Sequence, residues 1–97
     1  MRVMLKWSLP TEAGNKMIKD GEVGKVLAPL LEAMKPEAAY WFANGGNRGG
    51  LFVFNLAESW DLPRFTEPLW MAGCSSVEII PVMNQEEIMK GLAAAAA

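Results

Sequence analysis

The stretch AAYWFANGGNRGGLFVFNL, residues 38–56, decides the fold. Two aromatic-rich runs, AAYWFAN and LFVFNL, flank GGNRGG. Aromatic and β-branched side chains suit a pleated surface, and glycine reaches the positive φ that tight turns require, so the whole reads as a β-hairpin. Residues 38–44 and 51–56 are thereby assigned as strands. On the first of these, Tyr40, Trp41 and Phe42 come in succession, so one face takes Trp41 and the other takes Tyr40 and Phe42. The alternation leaves open which face is which.

Toward the N-terminus, residues 2–9 alternate Val3, Leu5, Trp7 and Leu9 with Arg2, Met4, Lys6 and Ser8, a period of two that marks a strand with one buried face. Between this strand and the hairpin, Met17, Val23, Val26, Leu27, Leu30, Leu31 and Met34 recur at helical spacing. Thr11 is expected to cap a first helix near residues 11–20, Gly21 and Gly24 to break it, and a second helix to run over 22–34 until Pro36 stops it. Pro29 is expected to kink the second. Toward the C-terminus, Ser59 is expected to cap a helix from Trp60 in which Leu62, Phe65, Leu69 and Trp70 form an apolar stripe ending at Gly73. Pro68 removes a backbone bond and bends that helix, bringing Trp70 and Met71 toward the core. Residues 76–83 form a last strand, and Pro81, which lacks a ladder donor, assigns it to a sheet edge. NQEEIMKG then predicts a short helical turn capped by Asn84, and the run 93–97 of alanines reads as a tail outside a single domain of residues 1–92.

The order is β-α-β-β-α-β, a ferredoxin-like α+β arrangement whose antiparallel sheet should run 4-1-3-2 with both helices on one face. The second face does not turn polar. Met4, Leu51, Val53, Ile80 and Val82 share its parity with Lys6, Ser8, Asn55 and Glu78, so a half-apolar surface awaits a cover. Met4, Val53, Ile80 and Val82 are accordingly assigned to a dimer interface.

Composition narrows the chemistry. At 97 residues and 10.6 kDa the chain suits one core. Net charge −2 and pI near 5.1 provide no basic excess for phosphate backbones, so nucleic acid is not an expected partner. Histidine is absent, which excludes Ser-His-Asp and Cys-His catalysis and any imidazole base or ligand. No metal-ligand spacing occurs and no cofactor is implied. A lone Cys74 forms no intrachain disulfide and reads as a small buried hydrophobe, and Arg2 and Lys6 interrupt any apolar leader; a cytoplasmic protein with no membrane association is expected.

KPEAAYW (residues 35–41), the GGNRGG hairpin, SWDLPRFTEPLW (59–70) and VEIIPVM (77–83) resemble, in order and spacing, a group of small uncharacterised bacterial proteins. These belong with the dimeric α/β barrels, the ferredoxin-like superfamily that includes muconolactone isomerases and antibiotic-biosynthesis monooxygenases. The resemblance implies a homodimer whose two sheets pack face to face around a partly polar cavity. It implies no particular reaction, because fold does not carry function. A haem-degrading member would need an axial histidine, which this chain lacks.

Candidate site residues follow from parity. Lys6 and Glu78 should be cross-strand neighbours on the open face, able to form an ion pair that orients a ligand or exchanges a proton. Tyr40 and Ser8 can supply hydroxyls. Arg48 lies among glycines, but the motif lacks a P-loop ending and precedes a strand, so it reads as a solvated arginine at the hairpin tip. Two functions stand side by side: a small-molecule-binding protein or cofactor-independent enzyme with its site in the dimer cavity between the two sheets, or else between helices and sheet, and an assembly or regulatory module with no ligand.

Overall fold

The computed structural model describes all 97 residues. Strand β1 (Arg2–Leu9) leads into helices α1 (Thr11–Lys19) and α2 (Val23–Met34), the hairpin β2 (Ala38–Asn44) and β3 (Asn47–Asn55), helix α3 (Leu62–Met71), edge strand β4 (Ser76–Pro81) and helix α4 (Gln85–Ala96). The sheet is antiparallel in the order β2-β3-β1-β4. This is the expected ferredoxin-like α+β fold, with the α1–α2 pair as the first helical crossover and α4 added at the end.

Register sorts every strand residue onto a face. Val3, Leu5, Trp7, Leu9, Phe52 and Phe54 point to the helix side, where Leu30 and Met34 of α2 and Phe65 and Leu69 of α3 cover them. Phe54 meets Phe65 edge-on at 5.0 Å between ring centroids, a geometry that aromatic quadrupoles favour. Burying such large side chains is the main favourable term in a domain this small.

Several local expectations shift. Thr11 is not the N-cap of α1. Pro10 holds that position in an extended conformation (φ −55°, ψ 147°), and the Thr11 hydroxyl turns instead to Asn47 Oδ1 at 3.4 Å. Ser59 does not cap α3 either. Residues Ser59–Asp61 make one tight helical turn, and α3 starts at Leu62 with Pro63 in its first turn, where a missing N–H costs nothing. Trp70 and Met71 lie outside the core, Met71 being 84% exposed, because Phe65 and Leu69 already fill the stripe that faces the sheet. The end of α2 is set by Lys35 in the left-handed region (φ 49°), which lets its amide N–H donate to Leu31 O, rather than by Pro36 alone.

The hairpin is tighter than its glycines suggest. Gly45 and Gly46 alone make the turn, at φ 62° and 84°, while Arg48, Gly49 and Gly50 belong to β3. Arg48 is therefore not at a hairpin tip but on the helix side of the sheet, opposite Leu9. At Asn84 the expected cap becomes a capping box: Asn84 Oδ1 accepts from the Glu87 amide and Glu87 Oε1 accepts from the Asn84 amide. Helix α4 continues through Ala96, with none of its residues buried. Arg2 pairs with both Glu37 and Glu87, fastening the start of α4 to the sheet.

Candidate functional site

The open face carries three parallel rungs across β2, β3, β1 and β4. Ala38, Val53, Met4 and Ile80 form the first, Tyr40, Leu51, Lys6 and Glu78 the second, and Phe42, Gly49, Ser8 and Ser76 the third. Because strand parity alternates strictly, pairing Tyr40 with Leu51 and Lys6 resolves the question the sequence left open: Tyr40 and Phe42 share the open face, and Trp41 points to the helices. Trp41 there meets Phe52 edge-on at 5.8 Å.

Three of the four candidate polar residues, Tyr40, Lys6 and Glu78, thus lie on a single rung. Tyr40 is 65% exposed and Lys6 half-buried. Lys6 and Glu78 stand directly opposite one another as expected, yet no ion pair joins them; Glu78 Oε1 accepts instead from Ser76 Oγ at 3.4 Å. Ser8 departs from the group. Gly49 leaves room for Asn44 to lie across the strand, where Asn44 Nδ2 donates to Trp7 O at 3.1 Å and Ser8 Oγ donates to Asn44 O at 3.4 Å. Ser8 is buried under that bridge, and its hydroxyl is spent on fold.

Of the residues expected at a dimer interface, Met4 and Val53 are half-buried, Ile80 is 38% exposed, and Val82 lies just past β4 with its amide bonded to Arg2 O. Cys74 is buried beside Leu69 at the end of α3, and that burial pushes its thiol up to about 11. It is a packing residue with no thiolate at neutral pH. No three His, Cys, Asp or Glu side chains cluster to hold a metal, and no helix is long and apolar enough to cross a membrane.

The helix side of the sheet holds a cleft whose lining residues the sequence reading did not assign to a site. The cleft, of about 620 Å³, opens between α1, α2 and the β2–β3 hairpin, with Trp7, Leu27, Trp41 and Arg48 among its walls. Beside it in the sheet stands Gly50, which lacks positive φ and is present for close approach, a Cβ there standing 3.0 Å from Trp7 Nε1.

Fold and sheet together define a ferredoxin-like α+β protein with one sheet face covered by helices and the other open. Among solved structures, the chain is similar to 5-chloro-2-hydroxyhydroquinone dehydrochlorinase from Burkholderia phenoliruptrix, determined in complex with 2,5-dihydroxybenzoquinone, with a TM-score of 0.70 over 89% of this chain and 97% of that one. Identity is 12%, so the likeness is one of fold. No protein family matches the sequence, and no curated protein does.

Proposed function

We propose that this chain is a small-molecule-binding protein or cofactor-independent enzyme that works as a homodimer, two copies packing their open sheet faces together into a barrel around the rung of Tyr40, Lys6 and Glu78. The observation that carries this reading is the open face itself. Tyr40, Phe42 and Ile80 are exposed beside half-buried Met4, Leu51, Val53 and Val82, an apolar surface with one cation on the inner strand β1 and one carboxylate opposite it on the edge strand β4. A second copy covers the apolar rungs and draws Lys6 and Glu78 into a partly desolvated interior, where their charges can orient a polar or anionic ligand. The small-molecule complex of the structural neighbour is consistent with that use of the fold. The buried, unpaired Cys74 supports residence in a reducing compartment such as the cytoplasm.

Sedimentation equilibrium at micromolar concentration tests assembly, and a stable monomer defeats this reading. A metabolite screen by melting temperature tests binding. A ligand at a hundredfold excess over its Kd adds about 2.7 kcal/mol, well within detection. The double variant Lys6→Met, Glu78→Gln should fold, dimerise and lose that shift. A wild type that no metabolite stabilises, or a double variant that keeps the whole shift, leaves the open face with an assembly role alone.

A further inference from the structure

The helix-side cleft has its floor on two rungs of the sheet: Trp41 and Trp7, with Gly50 between them in the sheet, on one, and Ala43, Arg48 and Leu9 on the next. Two independent features there are unexplained by packing. Trp7 is 5% exposed, and its Nε1, beside Gly50, is buried with no hydrogen-bond partner in the protein. An indole N–H left unpaired in that position costs about 1–3 kcal/mol, and buried polar groups of this kind mark a place where something else supplies the acceptor.

The second feature is Arg48, the sole charged side chain lining the cleft. It makes no ion pair. Of its five N–H donors the structure engages one, from Nη1 to Thr11 O at a long 3.5 Å. The guanidinium lies against Gly14, where a Cβ would stand 2.6 Å from Nη1. Glycine inside a helix costs roughly 0.5–1 kcal/mol relative to alanine. Here that glycine makes the space in which an arginine reaches the cleft. No carboxylate lines the cleft to neutralise it; Thr11 and Asn47 are its other polar side chains, and Leu9, Leu27 and Trp41 give it apolar and aromatic walls.

We propose that this cleft is a binding site for a planar organic anion, a ring-bearing carboxylate, whose oxygens take the free N–H groups of Arg48, whose ring packs on the aromatic walls, and whose inner edge carries an acceptor for Trp7 Nε1–H. A volume of about 620 Å³ suits a molecule of one or two rings, and a guanidinium fork matches a carboxylate in two parallel charge-assisted bonds. The site lies on the opposite side of the sheet from the face proposed for dimerisation, so the two readings fail separately.

Titration of the intact protein with benzoate and naphthoate, against the neutral benzamide and naphthamide, tests the site. The readouts are melting temperature and the indole N–H resonance of Trp7, assigned through its backbone. The expected result is saturable binding of at least one carboxylate, movement of the Trp7 resonance, at least about tenfold weaker binding of the matching amide, and a similar loss in Arg48→Gln that Arg48→Lys partly restores. Arg48 is exposed, so its substitution leaves the fold intact. The proposal is overturned if neither carboxylate binds at millimolar concentration, if the amides bind as well, if Arg48→Gln binds like wild type, or if binding leaves the Trp7 resonance in place.

Discussion

Gly50 lies directly across from Trp7 on neighbouring strands, and a Cβ at position 50 would stand 3.0 Å from Trp7 Nε1 and 2.7 Å from the carbonyl oxygen of Tyr40. The backbone contact cannot yield by a rotamer change. Gly50→Ala is therefore expected to destabilise the fold by about 1–3 kcal/mol, the usual cost of overpacking, lowering the melting temperature by about 4–8 °C per kcal/mol in a domain of this size. Urea denaturation checks it, and an unchanged midpoint would show that the rung has slack.

Lys35 ends α2 at φ 49°, in a region that costs an L-residue about 1–2 kcal/mol. Glycine has no such cost but loses about 0.5–1 kcal/mol of additional freedom on folding. Lys35→Gly should raise stability by about 0.5–1 kcal/mol, measured by the same denaturation curve; a loss of stability would mean that the lysine side chain holds this helix end.

Ile80 shares the first open-face rung with Met4 and is 38% exposed in a single chain. Ile80→Glu should leave the monomer folded and abolish the proposed dimer, since an uncompensated charge buried in an apolar seam costs at least about 3 kcal/mol. Sedimentation of the variant decides it. A dimer of undiminished affinity would place the interface elsewhere.

Cys74 makes stability fall in alkali. Burial raises its thiol from 9.0 to about 11, so between those values the unfolded chain has released the proton that the folded chain still holds. The contribution is complete below pH 9.0 and is lost as pH rises toward about 11. Cys74→Ala, compared with wild type over that range, should show a shallower decline. Parallel declines would assign the alkaline slope to other groups.

What the sequence alone determined was the set of elements and their pairing. A period of two over residues 2–9, two aromatic runs around a glycine turn, and helical spacing on either side leave one economical order, and Pro81 assigns its own strand to the edge. Face parity carried equally far: once Lys6 and Glu78 are opposed on neighbouring strands, their rung follows from a side-chain period that is strictly two. Tertiary structure decided the rest, because those outcomes depend on registers and packing between segments far apart in the chain. Only the register of β2 against β3 assigns Tyr40 and Phe42 to one side and Trp41 to the other. Only the turn at Gly45 and Gly46 draws Arg48 into a strand, and only the meeting of α1 with that strand shows why Gly14 is a glycine. Asn44 reaching Trp7 O across Gly49, and Trp7 Nε1 left unpaired beside Gly50, join residues some forty positions apart, and no local pattern encodes such contacts.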